Sequence, residues 1–380
     1  MPAWATYVLQ SLLTGALVLG ACHLALPASK TNGEDWVQDY LSARALLRGE
    51  DPYQDLPAMR AAAGVPSSAT DPVPVNPHPP GAFLWLLPLG ALDYPASFLA
   101  LRLLNGLALG LAWNGAWRVF ARPAERTRWL LAAAGGAFGF WGPVYQGFDF
   151  GQPSGLLALA VLGLWVALRG DGPFRKGLAL GLACTVRPFF FILSAAGMAG
   201  GVRPVGLSVA GFAVGFGLPF LVVGTTPWTW WSAAASHSGD YTWMMGTLPG
   251  VLRLGTGPAV GLYAAAWAAL IVLRQRRGPD DVVALGLTAI LWVYPLAWYH
   301  YDVIFVAGVV WVLAEADRRT CRAAVWLLVG YLLLRTPPSV LEAFEQRKLM
   351  QFAGRTLLVT GLVWLTMRGP VPSPRRGDRE

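Results

Sequence analysis

The sequence predicts an all-α polytopic membrane protein. Hydrophobic residues make up 55% of its 380 residues and charged residues only 13%, whereas soluble proteins carry roughly 25% charged residues. Apolar runs of about 20 residues recur along the chain, as helices that cross a hydrocarbon core require. We expect one membrane domain over residues 1–368, built as a bundle of about 10–12 helices, and a basic cytoplasmic tail over residues 369–380.

The predicted spans follow in order along the chain. The first apolar run, 6–26, is longer than the core of a typical signal peptide, so a retained helix is favoured over cleavage. The segment 81–93 is short and bounded by prolines, which favours a juxtamembrane or partly inserted helix. The segment 177–200 is interrupted by Arg187-Pro188, which predicts two short broken helices. The remaining predicted spans are 97–119, 129–147, 153–168, 205–223, 258–273, 282–299, 302–315, 323–335 and 354–367.

Basic residues predict how the protein is oriented. Most Lys and Arg residues lie in short loops between apolar runs, which is the pattern of cytoplasmic loops. The net charge of +8 is therefore explained without nucleic acid as a partner. The outer face of the cytoplasmic membrane is then predicted to carry a long first loop with juxtamembrane helices, 28–95. Four further outer segments are 147–152, 225–257, 294–302 and 336–353.

The cysteines give no sign of a cofactor. The three cysteines are scattered, and their spacing suggests neither a metal site nor a disulfide framework. We expect no metal and no other cofactor.

Two acidic residues stand out directly after the first apolar run. Asp35 and Asp39 are four residues apart, so in a helix they share one face, with about 5–6 Å between their Cβ atoms. Two close carboxylates can separate their pKa values and leave one of them as a base. The other interpretation is a solvated acidic start of a surface helix, where carboxylates suit the helix dipole.

The remaining polar candidates also map to the predicted outer face. His78, His237 and His300 lie there, and the turn from Tyr294 to Asp302 is dense in aromatic side chains. A histidine followed two residues later by an acid can bind a phosphate or a sugar, although interfacial aromatics usually form only a belt.

Arg187 is the ionisable residue placed deepest in a predicted membrane segment. Such a charge suggests a function, for example binding a phosphate in a water-filled cavity. The alternative is that it lies near the cytoplasmic surface, where the orientation argument places it.

Five motifs in order resemble glycosyltransferase family 87, a family with the GT-C fold. Asp35-Trp36-x-x-x-Tyr40, followed by Ala-x-Ala-Leu-Leu-x-Gly-x-Asp-Pro-Tyr53, resembles the first outer loop of that family. Further resemblances are Asn76-Pro-His-Pro-Pro80, Gly151-Gln-Pro-Ser-Gly-Leu-Leu157, 177–188 and Tyr294-Pro-Leu-Ala-Trp-Tyr-His-Tyr301. Together they cover about 30–360. Ser154 stands where the family usually has Asn, and Arg187 where it usually has Lys.

The resemblance implies a GT-C-type bundle and an inverting, metal-independent sugar transfer. The family includes polyprenol-phosphate-mannose-dependent α-mannosyltransferases. It therefore implies a hexose, with mannose first, moved from a polyprenyl-phosphate donor to a lipid or glycan acceptor among membrane lipids at the outer face. Asp35 takes the position of the general base, and His300 that of a histidine near the donor phosphate. His300 is therefore the first candidate to stabilise the leaving phosphate, followed by an outer-face cation such as Arg347 or Lys348 and then by Arg187. The expected donor- or acceptor-binding residues are Asp39, Tyr53, His78, Gln152, His237, Trp298, His300, Arg347 and Lys348.

Three other functions compete with this one. A transporter or flippase of lipid-linked saccharides would distribute charges through several spans and show internal repeats, and no repeat is visible here. A scaffold subunit would leave Asp35 without a task. Oligosaccharyl or protein O-glycosyl transfer shares the GT-C layout and stays open.

Overall fold

The computed structural model describes residues 3–25, 34–65, 75–120, 142–197, 202–241, 246–294, 297, 299–319, 321–333 and 344–368. Every regular element in these ranges is helical, which confirms the all-α class. The helices are α1 (Ala3–Ala25), α2 (Glu34–Leu47), α3 (Leu56–Ala63), α4 (Gly81–Leu84), α5 (Leu87–Gly90), α6 (Tyr94–Phe120), α7 (Gly142–Phe150), α8 (Ser154–Arg169), α9 (Pro173–Val186), α10 (Ser194–Gly197), α11 (Val202–Val223), α12 (Pro227–Tyr241), α13 (Leu248–Val251), α14 (Thr256–Arg274), α15 (Pro279–Val293), α16 (Val306–Arg318), α17 (Arg322–Leu333) and α18 (Phe344–Met367), with 3₁₀ helices at Pro188–Leu193 and Tyr299–Phe305.

Several helices of the described ranges are long and apolar enough to cross a membrane. These are α6, α11, α14 and the Lys348–Met367 part of α18, and α7 with α8 would form a fifth span bent by 119°. The polytopic membrane class is therefore confirmed. The predicted bundle of 10–12 helices counted shorter elements as spans. Among them, α15 has 15 residues and α17 has 12, less than the roughly 20 that a straight span needs.

The broken elements follow the prolines. Helix α9 ends at Val186, and Arg187 is extended (φ −148°, ψ 114°) before Pro188 starts a 3₁₀ helix, because the residue before a proline disfavours the helical region. This confirms the predicted break. The segment 81–93, predicted as one juxtamembrane helix, is instead two four-residue helices with Pro88 at the start of the second. Most of the predicted span 129–147 and the tail 369–380 lie outside the described residues.

The segment that contains α2 and α3 is anchored by the apolar face of α2. Trp36, Val37, Tyr40 and Leu41 of α2 are buried with residues of α3, α5 and α6. These positions recur at helical spacing, so they form one stripe of the helix. The neighbouring face, which carries Asp35 and Asp39, is left for polar contacts.

Helices α9 and α11 approach each other closely through glycines. A Cβ atom added at Gly177 would lie 1.8 Å from the Ser208 carbonyl oxygen, and one at Gly181 would lie 2.4 Å from that of Phe212. From α11, Gly211 and Gly215 meet carbonyl oxygens of α9 at 2.1 and 2.4 Å in the same way. Small residues four apart allow such close backbone contact between helices in a membrane. Since Arg187 follows the end of α9, this contact fixes the helix that presents it.

We expect Gly181→Val to destabilise the protein by about 1–3 kcal/mol, as overpacking does, because its side chain would overlap the backbone of α11. The matched control is Gly217→Val in α11, where an added Cβ meets nothing within 4 Å. Thermal unfolding in detergent measures both variants. An unfolding temperature of Gly181→Val equal to that of the control would contradict the close contact.

Candidate active site

Helix α2 presents its two carboxylates to different surroundings. The structure confirms that Asp35 and Asp39 lie one turn apart in a helix. Asp39 is buried, with 1% of its surface exposed, whereas Asp35 is partly exposed. Only Asp35 is therefore placed to meet a substrate directly.

Asp39 is engaged by polar groups of the segment that follows α3. Its Oδ1 atom lies 2.8 Å from Nδ1 of His78 and accepts a hydrogen bond from Nδ2 of Asn76 at 3.2 Å. Asn76 also accepts from the backbone N–H of His78 at 2.9 Å, and the Tyr53 hydroxyl donates to the carbonyl oxygen of His78 at 3.0 Å. Burial acts to raise the pKa of Asp39, but the charge and hydrogen bond of His78, with Arg187 and Asn76, lower it overall. Asp39 is thus an ionised partner of His78.

Gln152 is brought to α2 by the sharp turn between α7 and α8. Gly151 adopts φ +74° and packs so closely that an added Cβ would lie 2.6 Å from Cβ of Trp36, which requires glycine there. Asn105 of α6 donates to the Gln152 carbonyl oxygen at 2.8 Å and accepts from the N–H of Gly155 at 3.0 Å. The turn is therefore fixed on both sides, and the Gln152 side chain reaches Asp35.

Arg187 lies in the same place, which contradicts the expectation that Arg187 and Asp35 lie toward opposite sides of the membrane. Its Nη2 donates to Oε1 of Gln152 at 3.1 Å, and its guanidinium carbon lies 5.8 Å from the ring centre of Tyr301. Only 2% of Arg187 is exposed. Within the described ranges, its Nε atom has no hydrogen-bond partner. A buried cation with an unused donor is suited to binding an anion.

The environment of Asp35 makes it a stronger base than an ordinary carboxylate. Burial raises its pKa, while the hydrogen bond with Gln152 and the nearby charges of His78 and Arg187 act to lower it, and Asp39 acts to raise it. The net direction is upward. Because the oxygen of the Gln152 amide accepts from Arg187, its nitrogen is the atom that donates to Asp35. We call Asp35, Asp39, His78, Gln152, Arg187 and Tyr301 the Asp35 cluster.

The sequence model of glycosyltransferase family 87 matches residues 76–295, more than half of the chain. The protein belongs to glycosyltransferase family 87. The match includes His78, Gln152 and Arg187 of the Asp35 cluster and begins after Asp35 and Asp39. A search of curated proteins and a search of solved structures each found no match. Because the protein belongs to a glycosyltransferase family, a sugar donor and an acceptor are its expected substrates.

Not every predicted site residue of this family 87 glycosyltransferase lies in the cluster. Tyr53 contacts it through His78. Lys348 is buried at the start of α18, with 4% exposed, and it has partners there. The side chains of His237, His300 and Arg347, and all of Trp298, lie outside what the structure describes. Their roles stay predictions.

Asp302 is buried in a polar network that supports the candidate site. It is fully buried, and its Oδ1 accepts from Nη2 of Arg355 at 2.6 Å while its Oδ2 accepts from the Tyr331 hydroxyl at 2.9 Å. Arg355 also donates to the carbonyl oxygen of Gly246 at 3.1 Å. These bonds anchor the 3₁₀ helix that carries His300 and Tyr301. The idea that Asp302 and His300 act together on a ligand is therefore wrong for Asp302.

Sequence reasoning missed three residues that shape the site. Asn76 bridges Asp39 and His78, Asn105 holds the Gln152 turn, and Tyr301 packs against Arg187. Asn76 and Tyr301 lie within motifs that resemble the family, which was the one available signal. Nothing in the sequence around Asn105 distinguishes it from other polar residues on membrane helices.

Proposed function

We propose that the protein transfers a hexose, with mannose as first candidate, from a polyprenyl phosphate to a hydroxyl of a lipid or glycan acceptor. Family membership gives glycosyl transfer at a membrane; the lipid-phosphate donor and the inverting course are the proposal. One observation carries it. A partly exposed carboxylate, Asp35, and a buried guanidinium, Arg187, are joined through the single side chain of Gln152. A base and an anion-binding group thus lie together.

The reaction is a single displacement at the anomeric carbon. The acceptor oxygen forms a bond to that carbon while the bond from the carbon to the phosphate oxygen breaks, and the electron pair leaves with the phosphate. Asp35 takes the proton of the acceptor hydroxyl as the hydroxyl attacks. Its raised pKa suits this task because a general base works best when its pKa is near the working pH. The sugar oxygen that leaves in a glycosidase needs an acid, but a phosphate does not.

The leaving phosphate gains a negative charge that must be stabilised where it develops. Arg187 is the cation that the geometry favours, since it lies beside Gln152 and keeps its Nε donor unused. Arginine binds phosphate through a planar fork of N–H groups. This changes the order expected from the sequence, in which His300 came first. His300 remains a second candidate because it directly precedes Tyr301, whose ring contacts Arg187.

The location at the outer face of the cytoplasmic membrane rests on the distribution of Lys and Arg. The Asp35 cluster is built from α2, the turn between α7 and α8, and the end of α9, so all of its parts lie at one end of these helices. The basic residues of 169–176, at the start of α9, lie at the other end. Since basic loops are usually cytoplasmic, the Asp35 cluster is assigned to the outer side.

A transporter or flippase of lipid-linked saccharides is the second candidate. It would need polar groups along a path through the membrane. The Asp35 cluster is instead confined to one end of the helices. A transporter would also move the donor intact, without releasing its sugar, so the two functions differ in their products.

The experiment offers the purified protein in lipid vesicles a set of polyprenyl phosphates that carry radiolabelled mannose, glucose, galactose or arabinose. A membrane lipid extract supplies the acceptors. We expect transfer from the mannose donor with release of an equal amount of polyprenyl phosphate. Transfer from another of these donors would mean that the donor sugar is not mannose. Movement of intact donor across the vesicle membrane, without release of lipid phosphate, would overturn the proposal in favour of transport.

A further inference from the structure

The displacement gives no task to His78, the histidine of the Asp35 cluster. Its Nδ1 atom is engaged by Asp39 at 2.8 Å, and its side chain is 14% exposed. Within the described ranges, its Nε2 atom has no hydrogen-bond partner. One edge of the ring is therefore fixed by a buried carboxylate, and the opposite edge is available for a ligand.

The segment around His78 is built to hold that ring in one orientation. Asn76 has no exposed surface. It binds Asp39, the Ser42 hydroxyl and the backbone N–H of His78. The carbonyl oxygen of Pro77 accepts from the indole N–H of Trp230 at 2.9 Å. These contacts hold the backbone around His78, and Asp39 holds its Nδ1 atom. The Nε2 atom is therefore oriented for a reaction or a ligand.

Charge points to the kind of ligand. Without His78, the cluster holds two carboxylates, Asp35 and Asp39, and one cation, Arg187. A phosphodiester donor brings a further negative charge, and the displacement adds another when the lipid phosphate leaves. A second positive charge is needed to balance these anions in a buried site. His78 can supply it: Asp39 engages Nδ1 at 2.8 Å, so a protonated ring has Nε2 as a further donor.

We propose that His78, oriented by Asp39, is the second cation of the donor-phosphate site and makes donor binding depend on pH. This rests on the proposed function, since it assumes a lipid-phosphate sugar donor. When protonated, Nε2 of His78 donates a hydrogen bond to a phosphate oxygen. No covalent bond of His78 changes. Asp39 is then a positioning residue that acts through His78.

The charged and titratable groups around His78 define what the experiment must separate. From α2 these are Asp35 and Asp39, from the end of α9 Arg187, and from the loop after α2 the hydroxyl of Tyr53. Arginine does not titrate in the neutral range, and the pKa of Tyr53 is raised above its ordinary value by burial and the charges of Asp39 and Asp51. Asp35 is the one group that could imitate His78, because losing a proton there also repels an anion.

The experiment therefore measures binding in the Asp35→Asn background, without acceptor, which removes the titration of Asp35 and slows turnover. The probe is a short isoprenyl phosphomannose, whose phosphodiester keeps one negative charge from pH 5.5 to 8.5. Full-length protein in lipid nanodiscs is titrated with the radiolabelled probe across this range. Three proteins are compared: Asp35→Asn alone, with His78→Gln, and with Asp39→Asn.

In Asp35→Asn alone, we expect affinity to fall about 10- to 100-fold as the pH rises, which is the loss of one hydrogen bond to a charged group. Adding His78→Gln should give weak, pH-independent binding. Adding Asp39→Asn should reduce the pH dependence, because the imidazole loses the carboxylate that orients it. A pH dependence that survives His78→Gln unchanged would overturn the role of His78.

Two further outcomes are distinct. If the protein with His78→Gln does not fold, the protein with Asp39→Asn carries the test, and a pH dependence unchanged there would overturn the proposal. If Asp35→Asn alone binds no probe at any pH, the donor class itself is wrong. The role of His78 then falls with the proposed function.

Discussion

Asp35→Asn is expected to lower the rate of sugar transfer about 10²- to 10⁴-fold, the contribution of a general base, while donor affinity is kept. Asparagine has nearly the same shape and can still accept the hydrogen bond from Gln152, but it cannot take a proton. The measurement is the initial rate of transfer together with the binding of the donor. A loss of binding that matches the loss of rate would mean that Asp35 holds the donor instead of activating the acceptor.

The pH profile gives a second check on Asp35. The wild-type rate should fall on the acidic side as Asp35 becomes protonated, and this fall should lie above the usual range for a carboxylate, because burial raises its pKa. The residual rate of Asp35→Asn should lack this fall. Glu50→Gln is the matched control, since Glu50 is exposed and lies in the turn after α2. A wild-type rate in Glu50→Gln is expected.

Arg187→Gln is expected to lower the rate about 10²- to 10³-fold, as the removal of a donor that stabilises a developing anion does. Arg187→Lys should keep most of the activity, because the charge remains and the family usually has lysine before this proline. Since Arg187 also acts to lower the pKa of Asp35, the acidic fall of the rate in Arg187→Gln should move to higher pH.

The control for Arg187 is Arg169→Gln, at the C-terminal end of α8. Arg169 lies 3.3 Å from Asp280, and both side chains are partly exposed, so its replacement should leave the rate unchanged. Thermal unfolding of each variant separates a catalytic loss from a folding defect. An Arg187→Gln enzyme that folds and transfers at the wild-type rate would remove Arg187 from the phosphate site.

The acidic residues of α2 could be predicted from the sequence because their relation is local. Asp35 and Asp39 are one helical turn apart, and the apolar positions Trp36 and Tyr40 indicate which face is buried. Spacing alone could not say which carboxylate is accessible. That difference comes from Asn76 and His78, nearly 40 residues further along the chain, whose approach depends on tertiary packing.

The position of Arg187 could not be predicted, because the basic residues at both ends of 177–200 indicated only that both ends are cytoplasmic. In the structure, the close glycine contact of α9 with α11 and the break at Pro188 set where α9 ends. The bend of 119° between α7 and α8 then brings Gln152 to Arg187. Hydropathy and proline positions locate such breaks, but they do not specify which breaks meet in space.

The buried pair of Asp302 and Arg355 was also beyond sequence reasoning. The two residues are 53 positions apart. In the sequence, each would be interpreted as a polar residue at the membrane interface. Arg355 donates to one carboxylate oxygen of Asp302, and the Tyr331 hydroxyl of α17 donates to the other. Long-range polar pairs of this kind follow from the fold and leave no pattern in the sequence.

The central claim is a single displacement from a lipid-phosphate sugar, and the anomeric configuration of the product tests it most directly. The purified wild-type protein is given polyprenyl-phosphate mannose of known configuration, and the mannosyl product is examined by NMR spectroscopy. We predict the configuration opposite to that of the donor, with one polyprenyl phosphate released for each sugar transferred. A product that retains the configuration of the donor would contradict the single displacement and the role of Asp35 as base.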